Sequence, residues 1–169
     1  MESAHDDCIS ALTVKGSMRI SGPERYALSV TPTSYVVTCA RGTSKFSGIA
    51  TSRKPKLYVV SVDDKPIYVG VTKQPIRNRF RLGWNAKGET GYYGYAWRHH
   101  HANVWLDIWC HDDPPPQKDC LDIEAVEAEV VFLIRQAGQW PKHQTEIHFH
   151  QSNDDHRSTA ATITEHYRL

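Results

Sequence analysis

Two tyrosines, a run of arginines and one out-of-place glutamate are the residues of this 169-residue sequence best suited to chemistry. In KLYVVSVDDKPIYVGVTKQPIRNRFR (56–81), Tyr58 and Tyr68 lie in two strand-like runs, and Arg77, Arg79 and Arg81 follow at once. A phenol donates a hydrogen bond when neutral and takes a proton once ionised; a guanidinium fork matches the oxygens of carboxylate or phosphate. Tyrosines aimed at arginines suit an anion lying between them. The ordinary alternative is that strand tyrosines serve packing alone.

The elements that must position these residues follow from pattern. LYVVSV and IYVGV, separated by a turn around Asp63-Asp64-Lys65-Pro66, predict a hairpin. A three-residue turn at 62–64 places Tyr58 and Tyr68 opposite each other on one face, and a two-residue turn at 63–64 places them on opposite faces. Gly70 within the second strand marks a close approach by another group. Pro75 suits the first turn of a helix carrying PIRNRFR. Residues 83–103, rich in glycine, aromatics and histidine, read as a loop, and VWLDIW (104–109) as a third strand. From Asp119 the apolar period becomes helical, with acids in the first turns and Gly138 as the stop. TEIHFH (145–150) alternates like a strand, and the C-terminal TAATITEHYRL predicts a short helix. Residues 1–55 contain short strand-like runs broken at SGPER and TPTS.

On the helix after Asp119, Glu129 has only apolar neighbours three and four residues away: Ala125, Val126, Phe132 and Leu133. Glu124 and Glu127 can share a polar edge with each other. A carboxylate on an apolar stripe costs several kcal/mol unless a cation or hydrogen bonds compensate it. Glu129 is therefore either a peripheral residue that reaches solvent or a ligand placed at a site. A second array, Glu146, His148 and His150 at two-residue spacing, would line one face of a strand and could hold a metal.

The net charge is only +1, but twelve Lys/Arg against three acids lie between Arg41 and Arg98, with eight basic and sixteen acidic residues elsewhere. Such a basic centre can grip a polyanion. No apolar run reaches the roughly 20 residues of a membrane span. The acidic N-terminal MESAHDDCISALTVKG does not resemble a signal peptide, which together predicts a cytoplasmic or other intracellular protein. Cys8, Cys39, Cys110 and Cys120 show no CxxC pair and read as free thiols; His99–His101 with Cys110 and His111 lack zinc-finger spacing.

Taken in order, KLY (56–58), YVG (68–70), Arg79 and IEAVEAE ending at Glu129 resemble the GIY-YIG nuclease domain. PKHQ (141–144) resembles the family's proline-to-asparagine element, with Gln144 in place of asparagine. Arg77 rivals Arg79 for the family arginine, Lys56-Leu57 replace Gly-Ile, and no histidine follows Arg79. The resemblance spans about 55–145. It implies an α+β fold with a three-stranded antiparallel central sheet flanked by helices, occupying 56–169, behind an N-terminal β-rich extension at 1–55. It also implies phosphodiester hydrolysis in DNA, or RNA, with Mg²⁺ or Mn²⁺ held by Glu129, or by Glu146 in its place. Arg79 would steady the phosphate, Tyr58 would take a proton from water and Tyr68 would hydrogen-bond the phosphate. Lys73, Arg77, Arg81, Lys87, Arg98 and Gln144 are further candidates for nucleic-acid contact, with Trp84, Tyr92, Tyr93, Tyr95 and Trp97 able to stack on bases. Two other readings stand beside this one: a binding module of the same fold without catalysis, and a metal hydrolase built on Glu146, His148 and His150.

Overall fold

The computed structural model describes residues 18–116, 120–144 and 146–169. Five antiparallel strands form one sheet in the order β2-β1-β5-β3-β4: β1 (Ile20–Val30), β2 (Tyr35–Cys39), β3 (Lys56–Val62), β4 (Lys65–Thr72) and β5 (Asn103–His111). The expected three-stranded sheet corresponds to β5, β3 and β4. The two additional strands come from the segment expected to be an N-terminal β-rich extension, and β1 joins the sheet by pairing with β5 from Ile20↔His111 to Ser29↔Asn103. SGPER is not a turn; the register shifts between Ser21 and Glu24 while the strand continues.

Alternation along β3 divides the core into two layers. Tyr58 and Val60 face one side, packing with Phe80 and Ile76 of α1 (Ile76–Asn85) and with Tyr95 and Trp97 of the loop before β5. Leu57 and Val59 face the other, against Ile123, Val126 and Val130 of α2 (Leu121–Gln136) and Ala160 and Ile163 of α3 (Asp154–Thr164). Helix α1 and helices α2 and α3 thus lie on opposite faces of the sheet.

The helix ends follow local chemistry. Asn153 and His156 exchange reciprocal hydrogen bonds that cap α3. Past α2, Gly138 takes φ +79°, and Gly138 N–H and Gln139 N–H donate to Arg135 O and Ile134 O, satisfying carbonyls the helix leaves open. A link across the fold that pattern did not reveal is Asp107 on β5, fully buried. It accepts from Arg25 Nε (2.7 Å) and Nη2 (3.1 Å) on β1 and from the Tyr167 hydroxyl (2.9 Å) beyond α3. TEIHFH forms no strand over its described residues, 146–150; this stretch has no regular structure. The N-terminal segment read for a targeting signal, and Cys8 within it, lie outside the described residues.

Candidate functional site

The β3–β4 hairpin turns on Asp63 and Asp64, both with positive φ (51° and 60°), the paired left-handed conformation that matches strand twist in a two-residue turn. Taken alone, that turn separates the tyrosines onto opposite faces. The register then shifts: Ser61 pairs with Pro66 but Val60 pairs with Tyr68, leaving Ile67 as an extra residue. This bulge flips the alternation, so Tyr58 and Tyr68 share a face as diagonal neighbours with ring centroids 6.0 Å apart.

Gly70, directly across from Tyr58, makes room for this arrangement. A Cβ there would lie 2.7 Å from the Tyr58 Cζ and hydroxyl and 2.8 Å from Tyr68 Cε1. The close approach inferred at Gly70 is that of the tyrosine rings themselves. Gly70→Ala is therefore expected to lower stability by about 1–3 kcal/mol through overpacking, read as a shifted urea midpoint at constant m-value. An unshifted midpoint would show that the rings have room to move.

Arg79 completes the cluster. Its guanidinium lies 5.1 Å from the centroid of the Tyr92 ring and 5.6 Å from that of Tyr95. The Tyr95 hydroxyl is 3.1 Å from that of Tyr58, and the Tyr68 and Tyr95 rings meet edge to face at 5.6 Å. Four phenols thus surround a half-buried cation, and among the described residues no carboxylate pairs with it. Burial opposes the charge on Arg79, while the phenol oxygens, Tyr58 foremost, favour it. Tyr92 and Tyr95, expected only to stack on bases, stand beside Arg79, a proximity that depends on how the 86–95 loop folds back over α1.

The proton-taking role expected of Tyr58 meets a physical obstacle. Tyr58 is fully buried, and burial, then the neighbouring Tyr95, raises its pKa well above 10. Burial does the same for Tyr68 and Tyr95. These phenols remain neutral hydrogen-bond donors, so Tyr58 acts as a donor in this geometry rather than as a base.

The remaining candidates disperse. Arg77 and Arg81 are exposed on the flank of α1 that faces the β1–β2 turn, away from Arg79. Lys73 and Lys87 are exposed. Arg98 is not available to a ligand: it is buried, donating to Gly83 O (2.6 Å) and to His99 Nε2 (3.1 Å), and so ties the loop to the end of α1. Trp84, Tyr95 and Trp97 are core residues, and Tyr93 is largely exposed. Lys56, in the first motif, is spent on the preceding loop: it is buried, donates to Ser52 O and Lys54 O at 2.7 Å each, and has its pKa lowered to about 8 by burial. Gln144 fixes the edge of the hairpin: its Oε1 accepts from Val69 N–H (2.8 Å) and its Nε2 donates to Glu146 O (2.7 Å).

On α2 the buried carboxylate is Glu127, 3% exposed, and not Glu129, which is half-buried. Helix α2, and Glu129 with it, lies against the face of the sheet opposite Tyr58, Tyr68 and Arg79. Glu127 Oε2 is buried without a hydrogen-bond partner. Burial first, then Glu124 and Glu146, raises its pKa to about 8. His148 Nδ1 stands 3.9 Å from that oxygen, His148 Nε2 3.7 Å from Glu146, and His150 Nε2 2.5 Å from Glu124. Glu146, His148 and His150 therefore do not line one strand face; they drape over α2, with the Glu146 side chain 79% exposed. The triple histidine meets His143, 3.4 Å from His101, rather than Cys110 or His111. Among the described residues no disulfide joins Cys39, Cys110 or Cys120. Among the described residues no three His, Cys, Asp or Glu side chains are arranged around one metal position.

No helix among the described residues is long and apolar enough to cross a membrane. Comparison of the sequence with family models and curated proteins, and of the fold with solved structures, finds no match.

Proposed function

We propose that this chain binds the phosphate backbone of DNA at the Tyr58–Tyr68–Arg79–Tyr95 cluster and hydrolyses its phosphodiester bonds with the aid of a divalent metal. The observation that carries the reading is Arg79: a half-buried guanidinium ringed by four phenols, with no carboxylate beside it among the described residues, can take an anion. Its fork donates to two non-bridging phosphate oxygens, and the phenol hydroxyls of Tyr68 and Tyr92 at the cluster's exposed side add donors. Tyr58 and Tyr95 hold the other rings in place. The order of motifs that resembles the GIY-YIG domain supports the choice of phosphodiester as the anion.

Glu127 Oε2, without a hydrogen-bond partner and crowded by Glu124 and Glu146, is the oxygen that a hard divalent cation would satisfy, favouring the charged carboxylate. When bound, such a cation supplies charge neutralisation to a phosphate that reaches it. Because α2 lies behind the sheet from Arg79, no step at the Arg79 phosphate is assigned to it. That separation favours a second reading, a nucleic-acid-binding module without turnover.

Supercoiled plasmid and single-stranded DNA incubated with Mg²⁺, Mn²⁺ or EDTA decide between them. Metal-dependent cleavage lost in Tyr68→Phe and in Glu127→Gln or Glu129→Ala establishes the nuclease and identifies its carboxylate. Salt-sensitive binding without cleavage in any metal leaves the binding module.

A further inference from the structure

Helix α1 carries Arg77, Arg79 and Arg81 and no acid. Arg79 faces the tyrosines, whereas Arg77 and Arg81, four residues apart and so on one face, border a cavity of about 480 Å³ beside the β1–β2 turn. Thr33, Ser34, Tyr35, Asn78, Trp84 and Asn85 complete its wall. The wall is built rather than loose. Trp84 Nε1 donates to Thr31 O (3.2 Å), Thr31 Oγ1 and the Ser34 backbone N–H close the turn at 2.9 Å, and the Tyr35 and Trp84 rings pack at 4.7 Å.

Like charges at this helical spacing repel, and neither Arg77 nor Arg81 has an ion pair or hydrogen bond among the described residues. Two guanidinium forks, two side-chain amides and three hydroxyl-bearing residues around one cavity make a donor-rich pocket without a negative charge. Its position decides what kind of anion it takes. Arg79 and the Arg77/Arg81 pair occupy opposite flanks of one helix roughly 10 Å across, so a chain of phosphates crossing α1 meets both.

We propose that this cavity is a second phosphate subsite, taking a phosphodiester of the same nucleic-acid strand whose neighbouring phosphate sits on Arg79. The proposal rests on the function inferred above and extends it. The β1–β2 turn becomes part of the nucleic-acid interface, and a single nucleotide or free phosphate, able to fill only one subsite, binds far more weakly than a strand.

Fluorescence anisotropy with a short labelled oligonucleotide, single- and double-stranded, tests this across a salt series, with inorganic phosphate as competitor. The Arg77→Gln/Arg81→Gln variant is expected to bind about tenfold or more weakly. Its slope of log Kd against log salt should fall by about one, for the single phosphate the subsite neutralises. Lys65→Gln/Lys142→Gln, which removes equal charge from exposed positions elsewhere, should change affinity less than threefold. Equal losses in both double variants, or an unchanged slope in the first, overturn the subsite. DNA cleavage that persists with Arg77→Gln/Arg81→Gln binding unaltered removes the subsite and leaves the nuclease; arginine-dependent binding without cleavage removes the nuclease and leaves the subsite.

Discussion

Arg79→Gln is expected to weaken DNA cleavage, or binding where there is no turnover, by about a hundredfold or more, without lowering the thermal midpoint. The two halves of this result come from the same geometry. A half-buried cation with no acid partner among the described residues has given up part of its hydration. Contact with the faces of Tyr92 and Tyr95 offsets roughly 1 kcal/mol each. Removing the charge therefore removes a cost and a gain of similar size, and stability moves by less than about 1 kcal/mol either way. An anion on the cluster has no such balance, since the guanidinium fork is its principal charged donor. Arg79→Lys keeps the charge but loses the fork, so it should recover only part of the loss. Thermal unfolding provides the second readout: added oligonucleotide raises the midpoint of the wild type by mass action and leaves that of Arg79→Gln in place. A variant that melts far below the parent would make Arg79 a structural residue; one that keeps its affinity would remove phosphate from the cluster.

Much of the frame was legible because it rests on local rules. The β3–β4 hairpin, β5 and α2 with its glycine stop each follow from period and punctuation, whereas the terminal helix, expected over 159–169, lies at 154–164 because its Asn153 cap sets the start. Two kinds of information were not local. The face shared by Tyr58 and Tyr68 depends on one extra residue at Ile67, and a bulge has no strong signature in a run such as PIYVGV. Sheet membership of β1 and β2 depends on pairing with β5 some eighty residues later, sealed by Arg25 and Asp107, and spacing cannot reveal that.

The error over the α2 glutamates has a different cause. Apolar neighbours were taken as a sign of burial, yet Phe132, one of the four around Glu129, is 56% exposed. The neighbours of Glu127 include Ile123, Val130 and Val131, all buried against the sheet. Three inward-facing neighbours outweigh the polar edge offered by Glu124. Sequence sees residue type; burial depends on which side the sheet lies. The same limit applies to Arg77, Arg79 and Arg81, which look like one cluster in sequence and divide between two flanks of a helix.

Glu127→Gln is expected to stabilise the protein, with a gain that grows as pH rises. The folded state holds the Glu127 carboxyl protonated up to about pH 8, because burial, and then Glu124 and Glu146, oppose its charge, whereas in the unfolded chain it ionises near 4.5. Between these values the unfolded state has released a proton that the folded state retains, so this group subtracts from stability as pH climbs from about 4.5 to 8 and the penalty is constant above. At about 1.4 kcal/mol per unit the penalty is on the order of 3–5 kcal/mol above pH 8. His148 stands 3.9 Å from the Glu127 oxygen, and His150 lies against Glu124. The amide of glutamine keeps the shape and carries no charge to bury. Chemical denaturation at pH 5 and pH 9 should give nearly equal stabilities for wild type and variant at the first and a clear gain for the variant at the second. Parallel curves would mean that the carboxyl ionises normally in the fold. Repeating the pH 9 measurement with Mg²⁺ or Mn²⁺ asks why the chain keeps a residue that costs it stability. A cation held by Glu127 stabilises the wild type, narrows the gap to the variant and leaves the variant's own curve unmoved. Equal shifts in both proteins place the cation elsewhere, leaving Glu127 a buried acid with no metal to hold.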